Sequence, residues 1–253
     1  MPVTCYSGIA TLACLVAAAP AMGQGIDATR HDLRGGGVSQ ICVFCHTPHA
    51  ANGDIDAPLW NKPATGATYT TYDSSISSSL DGAVLAVGSV SIACLTCHDG
   101  TQSTDIVING PGRANFGLAG IALRGGDRFL DPDQSYTLGV DLSNDHPIGI
   151  QYGGYAPGGN GPIDPDFKTE GGASPGLQSA EINGQTQWWV DTEIAPNGTR
   201  DKSDMILYAR NNNGSVEPFV ECGSCHDPHS DTNELFLRIA NDNGQVCQAC
   251  HVK

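Results

Sequence analysis

Four short motifs of one pattern carry the chemistry that this sequence can do. Each reads Cys-x-x-Cys-His, and the motifs begin at Cys42, Cys94, Cys222 and Cys247. Two thiols three positions apart lie on one side of a helical turn, where both can form thioether bonds to the vinyl groups of one haem. The histidine that follows then lies under the iron as its proximal ligand. The pattern therefore predicts covalent attachment of four c-type haems.

The residues of these predicted sites form two sets. The attachment cysteines are Cys42, Cys45, Cys94, Cys97, Cys222, Cys225, Cys247 and Cys250. The proximal ligands are His46, His98, His226 and His251. One such motif alone could be a redox dithiol or half of a zinc site, but zinc sites need no histidine at a fixed fifth position. A disulfide framework would not repeat one spacing four times.

The remaining histidines match the number of iron atoms. The chain has eight histidines, and the four that lie outside the motifs are His31, His49, His146 and His229. One distal histidine for each iron predicts bis-histidine ligation throughout. Met205 is the only methionine after residue 22, so methionine could not supply all four distal ligands.

Two of the distal candidates lie in the repeated unit Cys-His-x-Pro-His, at His49 and His229. Each follows a proximal histidine by three residues, which cannot wrap around to the other face of the same haem. We therefore expect both to ligate neighbouring haems. His146 lies in an Asp-His-Pro-Ile-Gly loop, where proline and glycine favour a defined turn, and His31 lies between Arg30 and Asp32. Carboxylates beside these two histidines could orient their rings.

The order of these residues indicates an internal duplication and a division of the chain. A distal histidine, a Cys-x-x-Cys-His-x-Pro-His unit and a second Cys-x-x-Cys-His occur twice in that order. The predicted organisation is a signal peptide over 1–23, an N-terminal dihaem module over 24–110, a loop- and β-rich linker over 111–215 that supplies a distal histidine, and a C-terminal dihaem module over 216–253. The apolar stretch Ile9 to Ala19, followed by small residues, favours export. It is too short to cross a bilayer, and no later segment predicts a transmembrane span. Cys14 leaves lipidation open as an alternative.

Composition predicts an unusual fold. Glycine and proline number 32 and 15, whereas Leu, Ile, Val and Phe are near the level at which a chain cannot bury enough apolar surface. We therefore expect mostly irregular coil with short helices around each haem motif, a few short β-hairpins and a core organised by the haems. The β-like runs are Asp105 to Ile108, Tyr136 to Val140, Trp188 to Glu193 and Met205 to Tyr208. The formal charge of −15, with only 12 scattered basic residues, excludes a phosphate-binding stripe and hence a nucleic-acid partner.

The chain resembles multihaem c-type cytochromes with the doubled Cys-x-x-Cys-His signature. The matching parts are the Cys-His-x-Pro-His units, the loop from Asp145 to Gly149, and the run Phe236-Leu237-Arg238-Ile239 before Cys247. The layout is similar to small bacterial tetrahaem cytochromes of extracellular electron transfer, some of which polymerise into filaments. The resemblance implies a homopolymer in which His31 ligates a haem of the next subunit. It also implies redox proteins or an extracellular electron acceptor as partners.

Three functions from different classes follow. The leading prediction is an electron carrier that is not an enzyme, because a six-coordinate iron has no vacant position for a substrate. Such a carrier is either an extracellular filament subunit or a periplasmic shuttle. The second is a haem oxidoreductase, which requires one iron to lack its distal histidine. The third is a surface protein in which the haems act only as structural staples. Export to the periplasm, the cell surface or the medium is expected in each case.

Overall fold

A computed structural model describes residues 25–35, 38–110, 129–156, 161–170, 176–193 and 198–252. Irregular coil dominates these ranges, and the helices are few and short. This confirms the predicted mixture of coil, short helix and β-structure. The predicted signal peptide, with Cys5 and Cys14, lies outside the described residues. No helix among the described residues is long and apolar enough to cross a membrane.

Every Cys-x-x-Cys-His motif lies on a helical turn, as its spacing predicts. Helix α1 spans Ser89–His98, α2 spans Cys222–Cys225 and α3 spans Gln245–Cys250. The first motif forms a 3-10 helix over Cys42–Phe44. Further 3-10 turns cover Tyr152–Gly154, Glu234–Phe236 and Asp242–Gly244. In each motif one turn of helix places the two sulfur atoms on the same side.

The strands form two sheets. Strands β1 (Thr70–Thr71) and β2 (Asp141–Leu142) make a short parallel pair. The larger sheet has five strands in the order β3-β7-β6-β5-β4, all antiparallel. Its members are β3 (Ile150–Gln151), β4 (Leu177–Ile182), β5 (Gln185–Val190), β6 (Met205–Asn212) and β7 (Ser215–Val220).

Two Asn-Gly turns explain why the strands of this sheet pair as they do. Asn183-Gly184 joins β4 to β5 and Asn213-Gly214 joins β6 to β7, and all four residues have positive φ. Two-residue hairpin loops require this left-handed backbone at both positions, which asparagine and glycine adopt most readily. The hairpins then pair through β5 and β6. The result is one continuous sheet, which is larger than the few separate hairpins expected from the sequence.

The sheet carries an apolar core of its own. Leu177, Trp188, Val190, Met205 and Leu207 are buried on it and pack with Ile150, Tyr152, Val220 and Ala249. Ala249 belongs to α3, so the last motif packs on the sheet. Haems that complete the core at the four motifs remain a prediction.

The predicted β-like runs had mixed outcomes. The run from Met205 to Tyr208 lies within β6, whereas the run from Trp188 to Glu193 overlaps β5 only as far as Val190. The run from Asp105 to Ile108 is a turn. Its backbone hydrogen bonds with Lys62 and Asn61, through the Ile106 carbonyl and the Ile108 N–H, instead of with another strand. The run from Tyr136 to Val140 is irregular, and the strand starts at Asp141 instead.

The N-terminal and C-terminal parts of the chain are interlocked. Ser91 in α1 hydrogen bonds with Glu221 and Cys222 at the start of α2. His31 lies against Pro228 and Phe236. The module boundaries at 24–110, 111–215 and 216–253 remain a prediction, and these contacts cross them.

Candidate functional site

Each proximal histidine is held by a second segment of the chain, which we call its clamp segment; the pairing is antiparallel at His46, His226 and His251. The clamp segments are 58–61 for His46, 136–138 for His98, 235–238 for His226 and 166–168 for His251. None of them could be assigned from the sequence alone, because their distance along the chain from the histidine differs in every case. The clamp segment of the last histidine even precedes it.

The clamp segments orient the imidazole rings. Nδ1 of His46 donates to the Pro58 carbonyl at 2.6 Å, and Nδ1 of His98 donates to the Tyr136 carbonyl at 2.7 Å. Nδ1 of His226 donates to the carbonyl of Leu235 at 2.8 Å. A carbonyl can only accept, so Nδ1 carries the proton and Nε2 keeps its lone pair. This is the tautomer that an Nε2 metal ligand needs.

The clamps at His46 and His226 are two copies of one structure. Asn61 N–H donates to the Cys45 carbonyl at 2.8 Å, and Arg238 N–H donates to the Cys225 carbonyl at the same distance. Positive φ at Leu59 and at Phe236 turns the chain at the equivalent point. The duplication inferred from the motifs therefore extends to the segments that support them.

The clamp of His251 follows the same scheme with its segment taken from the middle of the chain. Phe167 pairs with His251, and its ring lies 4.3 Å from the imidazole. Val252 N–H donates to the Asp166 carbonyl at 2.8 Å, and Lys168 N–H donates to the Cys250 carbonyl at 2.9 Å. The last motif is thus tied to the predicted linker region.

Two of the predicted distal histidines face proximal histidines. The ring centroids of His46 and His229 are 6.0 Å apart, and those of His31 and His98 are 6.2 Å apart. Two metal–nitrogen bonds of about 2.0 Å, with about 1.1 Å from each Nε2 to its ring centroid, place opposed axial imidazoles about 6 Å apart. Both pairs therefore have the spacing that one iron between them requires. This spacing and the Nδ1 bonds are compatible with an iron between the two rings of each pair.

His31 is supported from the C-terminal part of the chain. Its Nδ1 donates to the Pro228 carbonyl at 3.1 Å. Its ring stacks on Phe236, with centroids 4.2 Å apart and planes 16° from parallel. Asp32, the neighbour proposed to orient the ring, accepts hydrogen bonds from Arg34 and from the Ala28 N–H. Phe236 is the orienting residue that the sequence did not identify.

The other two distal candidates have no imidazole opposite them among the described histidines. The His49 backbone is fixed by Thr47 and Asn109, and its ring is exposed. Nδ1 of His146 donates to the Pro147 carbonyl at 3.1 Å. The distal role of these two histidines therefore stays a prediction.

The cysteines of successive motifs lie close to one another. The Cys222 side chain raises the pKa of the Cys94 thiol, and Cys94 lowers that of Cys222. Cys45 interacts electrostatically with Cys97, and Cys225 does so with Cys250. Cysteines of successive motifs are therefore near enough to influence one another's ionisation.

Burial keeps several of these thiols neutral. It raises the pKa of Cys45 and of Cys225 to about 11, and that of Cys250 further. Cys42 and Cys247 are exposed. A neutral thiol is a weak nucleophile, so the buried cysteines are poorly suited to dithiol redox chemistry. Among the described residues, no group of three or more His, Cys, Asp or Glu side chains is arranged to hold a bare metal ion.

A family model matches part of the chain. Residues 217–253 match the family model described as a doubled CXXCH motif, which covers the last two motifs and the clamp segment between them. No curated protein matches the chain. The match supports a multihaem c-type cytochrome signature, and the motifs imply covalently bound haem.

Proposed function

We propose that this chain is a tetrahaem c-type electron-transfer protein, with a haem at each of the four motifs and no substrate chemistry. The observation that carries the proposal is the pairing of His46 with His229 and of His31 with His98 at the spacing of two axial ligands. A protein-bound haem supplies a one-electron iron couple, whose potential the axial ligands and surroundings set.

The residues at these sites hold the imidazoles and close the axial positions. In our proposal, His46 and His229 would hold the first iron, and His98 and His31 would hold the second. The clamp carbonyls accept from Nδ1 of His46, His98 and His226, which would leave Nε2 of each of these rings available to a metal. With both axial positions filled by protein, no position remains for a small substrate, which favours electron transfer over a haem oxidoreductase.

The electrostatic influence between cysteines of successive motifs supports a path through the chain. Because Cys94 and Cys222 shift each other's pKa, we infer that the second and third attachment sites are neighbours. Cys45 beside Cys97 relates the first site to the second, and Cys225 beside Cys250 relates the third to the fourth. We infer that electrons pass between the sites in motif order, with His49 and His146 as ligands of the third and fourth irons.

The route by which the protein works in the cell has two versions. We infer export, to the periplasm or beyond the cell, because the motifs require haem attachment outside the cytoplasm. As a periplasmic shuttle, the chain would exchange electrons with redox proteins. As a filament subunit, it would pass them to the next copy or to an extracellular acceptor. The closeness of His31 to His98 favours ligation within one chain over ligation of the next subunit by His31.

The test is the haem content and spin state of the matured protein. Intact mass and haem absorbance should give four haems per chain, all low-spin and without carbon monoxide binding. His229→Ala and His31→Ala should each convert one haem in four to a high-spin form that binds carbon monoxide. Asp231→Ala, in the exposed loop beside His229, is the matched control and should change nothing.

Other results would overturn parts of the proposal. Fewer than four haems per chain would refute the count. High-spin haem in the wild-type protein at all concentrations would favour the oxidoreductase. Ligation between subunits would be established by high-spin haem that forms only when an assembly is diluted to monomers. In His31→Ala the same haem would be high-spin at every concentration, so dilution would cause no further change. Electron microscopy of the secreted fraction would separate filament from shuttle.

A further inference from the structure

Lys62 is a buried cation beside the first motif. Only 1% of its surface is exposed, and among the described Lys and Arg residues it is the one that is buried. Its Nζ donates to the carbonyls of Thr104 and Ile106 at 2.8 and 3.0 Å. A buried cation is costly unless a counter-charge accompanies it, so its presence here needs a reason.

No carboxylate of the described residues lies within ion-pair distance of Lys62 Nζ, whose hydrogen bonds are the two to carbonyls. Asp105, which is fully buried, lies between these carbonyls in sequence, and its carboxylate accepts a hydrogen bond from the Ser103 hydroxyl. In surroundings of low polarity the field of a buried charge extends over several ångströms. The field of Lys62 reaches Cys45, with which it interacts electrostatically.

The clamp segment places Lys62 at this point. Asn61 N–H bonds the carbonyl of Cys45, and Lys62 is the next residue. The Asn61 side chain is itself buried, with Nδ2 donating to the carbonyls of Val43 and Asn109 at 2.6 and 2.9 Å. Lys62 is therefore held on a rigid segment rather than on a mobile loop.

The duplicated clamp shows that the fold does not require a lysine here. The residue that follows Arg238 is Ile239, so the position of Lys62 is apolar in the second copy. The cation near the second clamp is Arg238 itself, which is half-buried and bonds the carbonyls of Gly223 and Lys202. Arg238 also acts electrostatically on Cys225, but water screens a half-buried charge more strongly than that of Lys62. The two copies thus share a backbone and differ in buried charge.

We propose that Lys62 raises the reduction potential of the haem attached at Cys42 and Cys45 above that of its counterpart at Cys222 and Cys225. The proposal rests on the proposed electron-transfer function. Reduction adds one electron from a one-electron donor to the ferric iron and removes one positive charge there. A fixed cation nearby favours the reduced state, so electrons collect at the N-terminal end of the path. Lys62 is a positioning residue that acts through its charge and does not touch the iron.

The test is a potentiometric titration of the matured four-haem protein. Lys62→Met removes the charge and the donor, whereas Lys62→Gln removes the charge but keeps a donor for the same carbonyls. For a unit charge about 10 Å away at an effective dielectric constant of about 20, the ratio of oxidised to reduced haem at a fixed potential should rise about tenfold. That ratio corresponds to about 59 mV for one electron. One of four steps should move to lower potential in both variants.

Two further proteins complete the design. Lys202→Met removes an exposed lysine and should leave all four steps in place. A His229→Met background marks the first haem by its changed ligand, and the step that Lys62→Gln moves should be the marked one.

The outcomes separate the two proposals. The role of Lys62 would be overturned if Lys62→Met and Lys62→Gln shift the reduction potentials no more than Lys202→Met does. The proposed function would still stand in that case, because the reversible steps would remain. A wild-type protein without reversible one-electron steps would overturn the proposed function itself. If Lys62→Met fails to keep its haems, the potentials of Lys62→Gln decide whether Lys62 has the proposed role. A change in melting temperature without any change in reduction potential would assign Lys62 a structural role only.

Discussion

The buried carboxylate of Glu221 joins two of the haem-binding helices, and removing it is the most direct test of the fold at this point. Glu221 is 1% exposed and precedes α2. Its carboxylate accepts hydrogen bonds from the Ser91 hydroxyl at 2.6 Å and from Gly88 N–H at 3.3 Å, both at the start of α1. It also pairs with Arg210 of β6 at 2.8 Å. One side chain therefore connects α1, α2 and the large sheet.

The cost of Glu221→Ala follows from these partners. Breaking a buried ion pair by removing one partner costs about 3–5 kcal/mol, because the other charge and any buried donors are left without acceptors. Arg210 is 21% exposed and can regain some water, which places the expectation near the lower end. We expect the free energy of unfolding to fall by about 3 kcal/mol, a large part of the ~5–15 kcal/mol of an ordinary domain.

Denaturant unfolding followed by far-ultraviolet circular dichroism would measure this loss. Glu234→Ala, at an exposed position, is the matched control and should change the free energy by less than about 0.5 kcal/mol. A Ser91→Ala variant should lose part of the same free energy, and the double variant should lose less than the sum, because the two residues share a hydrogen bond. A cost for Glu221→Ala no larger than that of the control would refute this account of the α1–α2 junction.

Two further predictions concern the same region. Gly223→Ala would place a Cβ against the Tyr208 hydroxyl. We expect the free energy of unfolding to fall by about 1–3 kcal/mol from overpacking, and Tyr208→Leu should largely relieve this loss. Equal losses in both backgrounds would contradict the clash. Burial raises the pKa of Glu221 above its ordinary value of 4.5, so the folded state holds this proton more tightly than the unfolded state and the associated stability is lost as pH rises through the folded pKa. The free energy of unfolding of the wild type relative to Glu221→Gln should therefore fall as pH rises from about 4; a rising difference would show that Arg210 outweighs burial.

The local features of this protein could be predicted from its sequence. Each Cys-x-x-Cys-His motif is a short helix, because the sulfur spacing and the haem edge leave little choice. The sequence also carries a signal for the hairpins, because Asn183-Gly184 and Asn213-Gly214 are strong turn sequences. The prediction of a few short hairpins did not use these two turns. The pairing of β5 with β6 could not be predicted. It joins two hairpins that are separated in sequence, and no local sequence pattern indicates it.

The arrangement of the site could be predicted only in part. The histidine count indicated four ligand pairs, but it did not assign His229 to His46 or His31 to His98, because nothing local links residues so far apart. The clamp carbonyls of Pro58, Tyr136 and Leu235 act through the backbone and leave no side-chain signature. The burial of Lys62 was also invisible, because an isolated lysine in a loop looks solvated.

The pairing of His46 with His229 has a consequence for how the molecule is made. The two residues lie in the first and last quarters of the chain, and Phe236, which stacks on His31, lies in the last quarter as well. Contacts between such distant residues form late, because the intervening chain must be ordered first. If the chain is exported as proposed, the N-terminal half would emerge with His31 and His98 both present, whereas His46 would lack His229 until the C-terminal end arrives. The His46 site would then stay open until the whole chain has crossed the membrane, and a truncated product would be recognisable by its one unfilled axial position.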